Sequence, residues 1–173
     1  MSLLKDSLQG KWLGHALHPA LVHVPTGLFP AATVFDLIAV YGGGGNAAVR
    51  CAFWCVAVGV VGAVAAAPTG LADWWEIKRG KPAYKLGLIH MTLNVGVLVL
   101  MAVSLWLRWR QQPGVISSPP TAIVLALLGN ALLLVSGYLG GRMVFDKGIG
   151  VARMSKKKWE KLARAGHARL PVE

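Results

Sequence analysis

Apolar residues in this chain come in four long blocks separated by short polar stretches, at about Leu21–Tyr41, Arg50–Ala72, Leu86–Leu107 and Thr121–Arg142. They follow neither the alternation of a half-buried strand nor the single stripe of a soluble helix. Each block is long enough to cross a bilayer, which takes about 20 helical residues for about 30 Å of hydrocarbon. Only helices and closed barrels satisfy their backbone in lipid, and blocks this continuous do not fit the dyad pattern of a barrel strand. The pattern predicts an all-α integral membrane fold, a four-transmembrane-helix bundle making one domain over 1–173.

Polar residues inside the blocks mark where chemistry can sit. Pro25 and Pro30 stand within the first span and predict kinks there. Asp36 lies deep in the same span, and a buried aspartate needs a partner or a proton; Arg50, at the head of span two, is the expected partner. Span two ends in Pro68–Trp75, whose paired Trp74 and Trp75 read as an interfacial belt, with Asp73 placed to orient an imidazole. Trp106 and Trp109 mark the opposite belt. Gly59 and Gly62 offer a small face for close helix packing, and Gly129, Ser136, Gly137, Gly140 and Gly141 one that packs and also makes room for something flat.

Hydrophobic residues make up 55% of the 173 positions and charged residues 14%, which excludes an ordinary soluble domain. The first 14 residues are polar, with no short apolar core before a cleavage site, so a signal peptide is not expected. A net charge of +11 raises nucleic acid as a partner, but the distribution of the charge argues against it. Lys5 and Lys11, the loop cations Lys78, Arg79, Lys81 and Lys85, and nine residues from Arg142 onward all fall on one side of a four-span topology. Only Arg50, Arg108 and Arg110 fall on the other. The positive-inside rule makes the basic side cytoplasmic and predicts a multi-pass protein with both termini in the cytoplasm. Within the basic tail, 143–173, residues 155–170 read as an interfacial helix on the anionic leaflet. Cys51 and Cys55 are one turn apart on one helix, where a disulfide is awkward and constrains little.

The histidines carry the candidate chemistry. His15, His18 and His23 stand at the cytoplasmic mouth of span one, and His90 lies at comparable depth in span three with Asn94 one turn on. The zinc-hydrolase pattern of two histidines four apart with a glutamate is absent. A b-type haem asks for an imidazole from each of two facing helices and small residues around the ring. His23 with His90 fits by depth, with His18 as the alternative ligand or as a propionate contact beside Arg142 or Lys85; Asn94 is placed to hold a ligand or water. The sequence also allows a non-haem metal or quinone site, in which Asp36 can carry a proton, and histidines that serve only as polar packing.

The motifs HALHPALVHVPTGLFP, Asp36, GLADWW, His90-x-x-x-Asn94 and SGYLGGRMVFDKGIGV resemble the bacterial domain of unknown function 2231 family, over nearly the whole chain. The resemblance implies a four-helix protein of the bacterial inner membrane. Some members are joined to a Rieske-type iron–sulfur domain, which implies electron transfer; Asp146 and Lys147 stand where relatives often carry a histidine. The resulting expectation is a membrane cytochrome b, or a haem-bearing anchor of a redox complex, working between quinone and a partner subunit or a second copy. The alternatives are a structural or assembly subunit and a metal-ion-binding membrane protein.

Overall fold

The computed structural model describes residues 2–111, 117–149, 161 and 164–166. The basic helix expected over 155–170 falls largely outside them. A short helix α1 (Ser2–Leu8) and one 3-10 turn lead into four long helices: α2 (Leu17–Tyr41), α3 (Gly45–Trp75), α4 (Pro82–Trp109) and α5 (Pro120–Phe145). All four are long and apolar enough to span a membrane, and each contains one expected block. At most 28% of any apolar window is buried, so most of each helix surface is left for lipid or another membrane protein. α2 stays one continuous helix through Pro25 and Pro30. Thr26, in the turn between these prolines, donates its hydroxyl back to Val22 O at 2.8 Å.

α2 lies along α3 and α4 along α5, and the two hairpins close through α3–α4 and α2–α5 contacts. The hairpins repeat one pattern. A shift of 72 residues carries the inward residues His18, Pro25, Phe29, Ala32 and Asp36 of α2 onto His90, Val97, Met101, Ser104 and Arg108 of α4. A shift of 70 carries Ala52, Val56, Gly59, Ala66 and Gly70 of α3 onto Ala122, Ala126, Gly129, Ser136 and Gly140 of α5. The packing repeats with the positions. A Cβ built on Gly59 would stand 2.5 Å from Phe29 Cε1, and one on Gly129 would stand 2.8 Å from Met101 Cε. The bundle is thus two helical hairpins running in the same direction, related by a pseudo-twofold axis along its length, as in membrane proteins built from parallel repeats.

Phe29, Val97, Met101 and Ala126 fill the centre. The end of the bundle that carries the N-terminus and the α3–α4 turn is called the terminal end below, and the opposite one the far end. At the terminal end, Trp74 stacks on Tyr84 with centroids 4.6 Å apart and donates from Nε1 to Tyr84 O at 3.1 Å. This contact ties one hairpin to the other. Lys5 Nζ meets Glu76 Oε1 at 2.8 Å, and Gln9 donates to Ala72 O at 3.3 Å, fastening α1 beneath α3.

Candidate functional site

His18 and His90 occupy equivalent places in the two hairpins and are held in the same way. On an α-helix 18 residues make five full turns, so His18 shares a face with Asp36 and His90 with Arg108. Both imidazoles therefore lie on the inward stripes, in the terminal half. They are close enough for their charges to interact. Each ring lies against a glycine of the neighbouring helix. A Cβ on Gly70 would stand 2.6 Å from His18 Cε1, and one on Gly140 would stand 3.0 Å from His90 Cε1.

The hydrogen bonds fix the tautomers. Nδ1 of His18 is 3.1 Å from Ala66 O, and Nδ1 of His90 is 2.9 Å from Ser136 O. A carbonyl only accepts, so both Nδ1 atoms carry a proton, and in the neutral ring Nε2 is then the nitrogen with the lone pair. This is the arrangement in which a histidine ligates a metal through Nε2 while a carbonyl orients it through Nδ1. Thr69 Oγ1, 3.2 Å from His18 Nδ1, donates to Ala66 O at 2.6 Å.

The two sites differ at Nε2. Asn94 brings its amide nitrogen to 3.1 Å from His90 Nε2, its two N–H bonds shared among that nitrogen, His90 O at 2.9 Å and Ser136 Oγ at 2.7 Å. The position equivalent to Asn94 in the first hairpin is Val22, and among the described residues His18 is hydrogen-bonded only through Nδ1.

The other expected site residues are placed as follows. His23 is exposed on the outside of α2, about 160° around the helix from Pro25, so one chain does not bring it to His90. His15 is exposed before α2. Asp73 is half-buried in the last turn of α3, close enough to His18 for their charges to interact, but Ala66 and Thr69 orient that ring. Arg142 is exposed and paired with Asp146 at 3.0 Å, at the end of the same helix. Among the described residues no group of three or more His, Cys, Asp or Glu gathers to hold a metal ion. Cys51 and Cys55 are free thiols.

The partner of Asp36 is not Arg50, which is exposed at the far end, but Arg108. Arg108 Nη1 and Nη2 donate to the two Asp36 oxygens at 2.8 and 2.6 Å, and both side chains are buried. Ser118 donates to Asp36 Oδ1 at 2.7 Å and accepts from Arg108 Nη1 at 2.6 Å. Arg108 Nε reaches Ser104 Oγ at 3.3 Å, and that hydroxyl donates to Ala122 O at 2.7 Å. The pair crosses the pseudo-twofold axis, so two equivalent positions of the repeat neutralise each other. In the sequence Arg108 stands between two belt tryptophans and reads as a loop cation. Its phase with Val97, Met101 and Ser104 is the signal that marks it as inward.

The family comparison bears on a chain of this shape, a duplicated four-helix bundle with an inward histidine in each half. The description "Predicted membrane protein (DUF2231)" matches residues 14–153. The chain belongs to the DUF2231 family. The match takes in all four spanning helices and every residue of the two networks. No curated protein and no solved structure matches the chain.

Proposed function

We propose that this DUF2231 protein is a haem-carrying electron-transfer protein of the bacterial inner membrane, or the haem-bearing anchor of a redox complex, with its terminal end in the cytoplasm. The observation that carries the reading is the matched pair of inward imidazoles, each with Nδ1–H committed to a backbone carbonyl, which makes Nε2 the nitrogen able to ligate. His18 and His90 are the residues that would hold the iron, a pairing that symmetry favours over His23 with His90. The residues present suit the group. The donor set is two imidazoles, and the helices beside them contribute small residues, Ala66, Thr69, Gly70, Ser136 and Gly140. A bound haem supplies reversible one-electron exchange, which fits work between a membrane quinone and a partner subunit. The protein's own part is to orient the two rings and to hold the interior of the far end together through the neutralised pair of Asp36 and Arg108. The orientation rests on the cations. With Arg108 drawn into the bundle, Arg50 and Arg110 face the bulk of the basic residues alone.

One observation favours a second reading, a structural or assembly subunit. Asn94 and Ser136 already satisfy both nitrogens of His90, as buried polar packing requires. A metal-ion site on the same imidazoles is the third.

Absorption spectra of the detergent-solubilised protein, oxidised and then dithionite-reduced, separate the three. A reduced α-band that vanishes in His18→Ala and His90→Ala, yet survives in His23→Ala, supports the haem reading. A colourless protein from haem-replete cells ends it, and metal analysis of that sample then distinguishes a bound ion from packing.

A further inference from the structure

Because α2 and α4 share one inward pattern, their outward faces can be compared position by position. Near its middle α4 turns Val95, Leu98, Val99 and Ala102 outward, as a lipid-facing helix should. The matching positions of α2 hold His23, Thr26, Gly27 and Pro30. Thr26 spends its hydroxyl on its own helix, as Thr92 does on α4. His23 has no such outlet: it is exposed, and among the described residues nothing hydrogen-bonds its ring.

The depth of His23 makes this costly. On α3, Trp54 and Trp75 are 21 residues apart, about 31 Å at 1.5 Å per residue, and so bracket the hydrocarbon. His23 precedes Val24 and Pro25, which pack on Gly62, close to the midpoint of that interval. Its counterpart Val95 is midway between Tyr84 and Trp106 on α4. An ionisable ring at mid-membrane faces protein rather than lipid. The first hairpin is thus built for a covered outer face and the second for lipid.

A second copy in the same orientation suits that face best. A twofold axis along the membrane normal brings His23 to its mate at equal depth, whereas any other partner must supply a polar group at that level. A neutral imidazole offers one donor and one acceptor, so two of them meeting across the axis share one N–H···N hydrogen bond. Gly27, one turn on, leaves open space, with nothing within 4 Å of a built Cβ, and admits a neighbouring backbone closely. We propose that the protein forms a parallel homodimer through the outward face of α2, with the two His23 side chains hydrogen-bonded across it near the middle of the membrane. This does not depend on haem.

The test uses the full chain in native membranes, in a Cys51→Ser/Cys55→Ser background. Gly27→Cys and, at the matching place on α4, Val99→Cys are oxidised with copper phenanthroline. Covalent dimer from position 27 and none from position 99 is expected. No cross-link at 27, or equal yields from both, overturns the proposal. The background chain carrying His23→Val, labelled and diluted with lipid in vesicles, should then show a dimer weakened about three-fold by energy transfer, the size of a typical interhelical hydrogen bond. Association that His23→Val leaves unchanged removes His23 from the interface.

Discussion

Replacing Arg108 by Met tests the buried ion pair that holds the far end together. The guanidinium gives Asp36 two charge-assisted hydrogen bonds and bonds both Ser104 and Ser118. Two such bonds at about 1.5–3 kcal/mol each put the loss at about 3–6 kcal/mol. A lone buried carboxylate escapes by taking a proton, and protonating a carboxyl of ordinary acidity at pH 7 costs about 4 kcal/mol. The penalty for Arg108→Met is therefore about 4 kcal/mol, within the range for breaking a buried pair. The double variant Asp36→Leu/Arg108→Met leaves no charge behind. It should lie within about 1 kcal/mol of the parent or above it, because the pair's mutual attraction mostly offsets its desolvation. Reversible unfolding in mixed detergent micelles, run as a double-mutant cycle, reads both values. A single variant costing under about 1 kcal/mol, or a double variant as unstable as the sum of the singles, would show that Asp36 and Arg108 do not neutralise each other in the membrane.

Two further predictions follow from contacts near the terminal end. Gly70→Ala places a Cβ 2.6 Å from the His18 ring; it should displace that imidazole and cost about 1–3 kcal/mol as an overpacked contact, read from the same unfolding curves, with Gly140→Ala the milder change. Glu76 is held below its ordinary value of 4.5 chiefly by the hydrogen bond from Lys5. Its contribution is thus complete above that value and is lost as pH falls through the depressed one, so α1 should detach only in acid below pH 4.5, seen as a change in Trp12 fluorescence that Glu76→Gln abolishes.

Span number and position were readable because a membrane helix needs little more than continuous apolar length. Which side of each helix turns inward was not. The blocks are apolar all round, so hydrophobicity carries no phase, and His23 and His18 looked interchangeable by depth. The phase was present in another form: the four–three–four spacing of Pro25, Phe29, Ala32 and Asp36 recurs in Val97, Met101, Ser104 and Arg108. These residues share almost no identity, so the repeat is visible only once the buried faces are known. The same blindness assigned Asp36 to Arg50, its nearest cation along the chain, rather than to Arg108.

Duplication also shows where the halves have parted, and a symmetric frame has no packing reason to part at an imidazole. Asn94 holds Nε2 of His90, whereas Val22 leaves Nε2 of His18 without a hydrogen bond among the described residues. If the two histidines are ligands they are unequal ones, since His90 would first have to lose Asn94 and His18 would not. Asn94→Val makes the second hairpin match the first. If the imidazoles serve a ligand, Asn94→Val should tighten binding at His90, by about ten-fold for one hydrogen bond of about 1.4 kcal/mol no longer to be broken. If they serve only packing, the same change deletes the amide's bonds to His90 O and Ser136 Oγ and lowers stability by about 1–3 kcal/mol, with no gain in any bound group. Haem titration and unfolding of one variant distinguish the cases, because the ligand reading requires tighter binding and the packing reading forbids it.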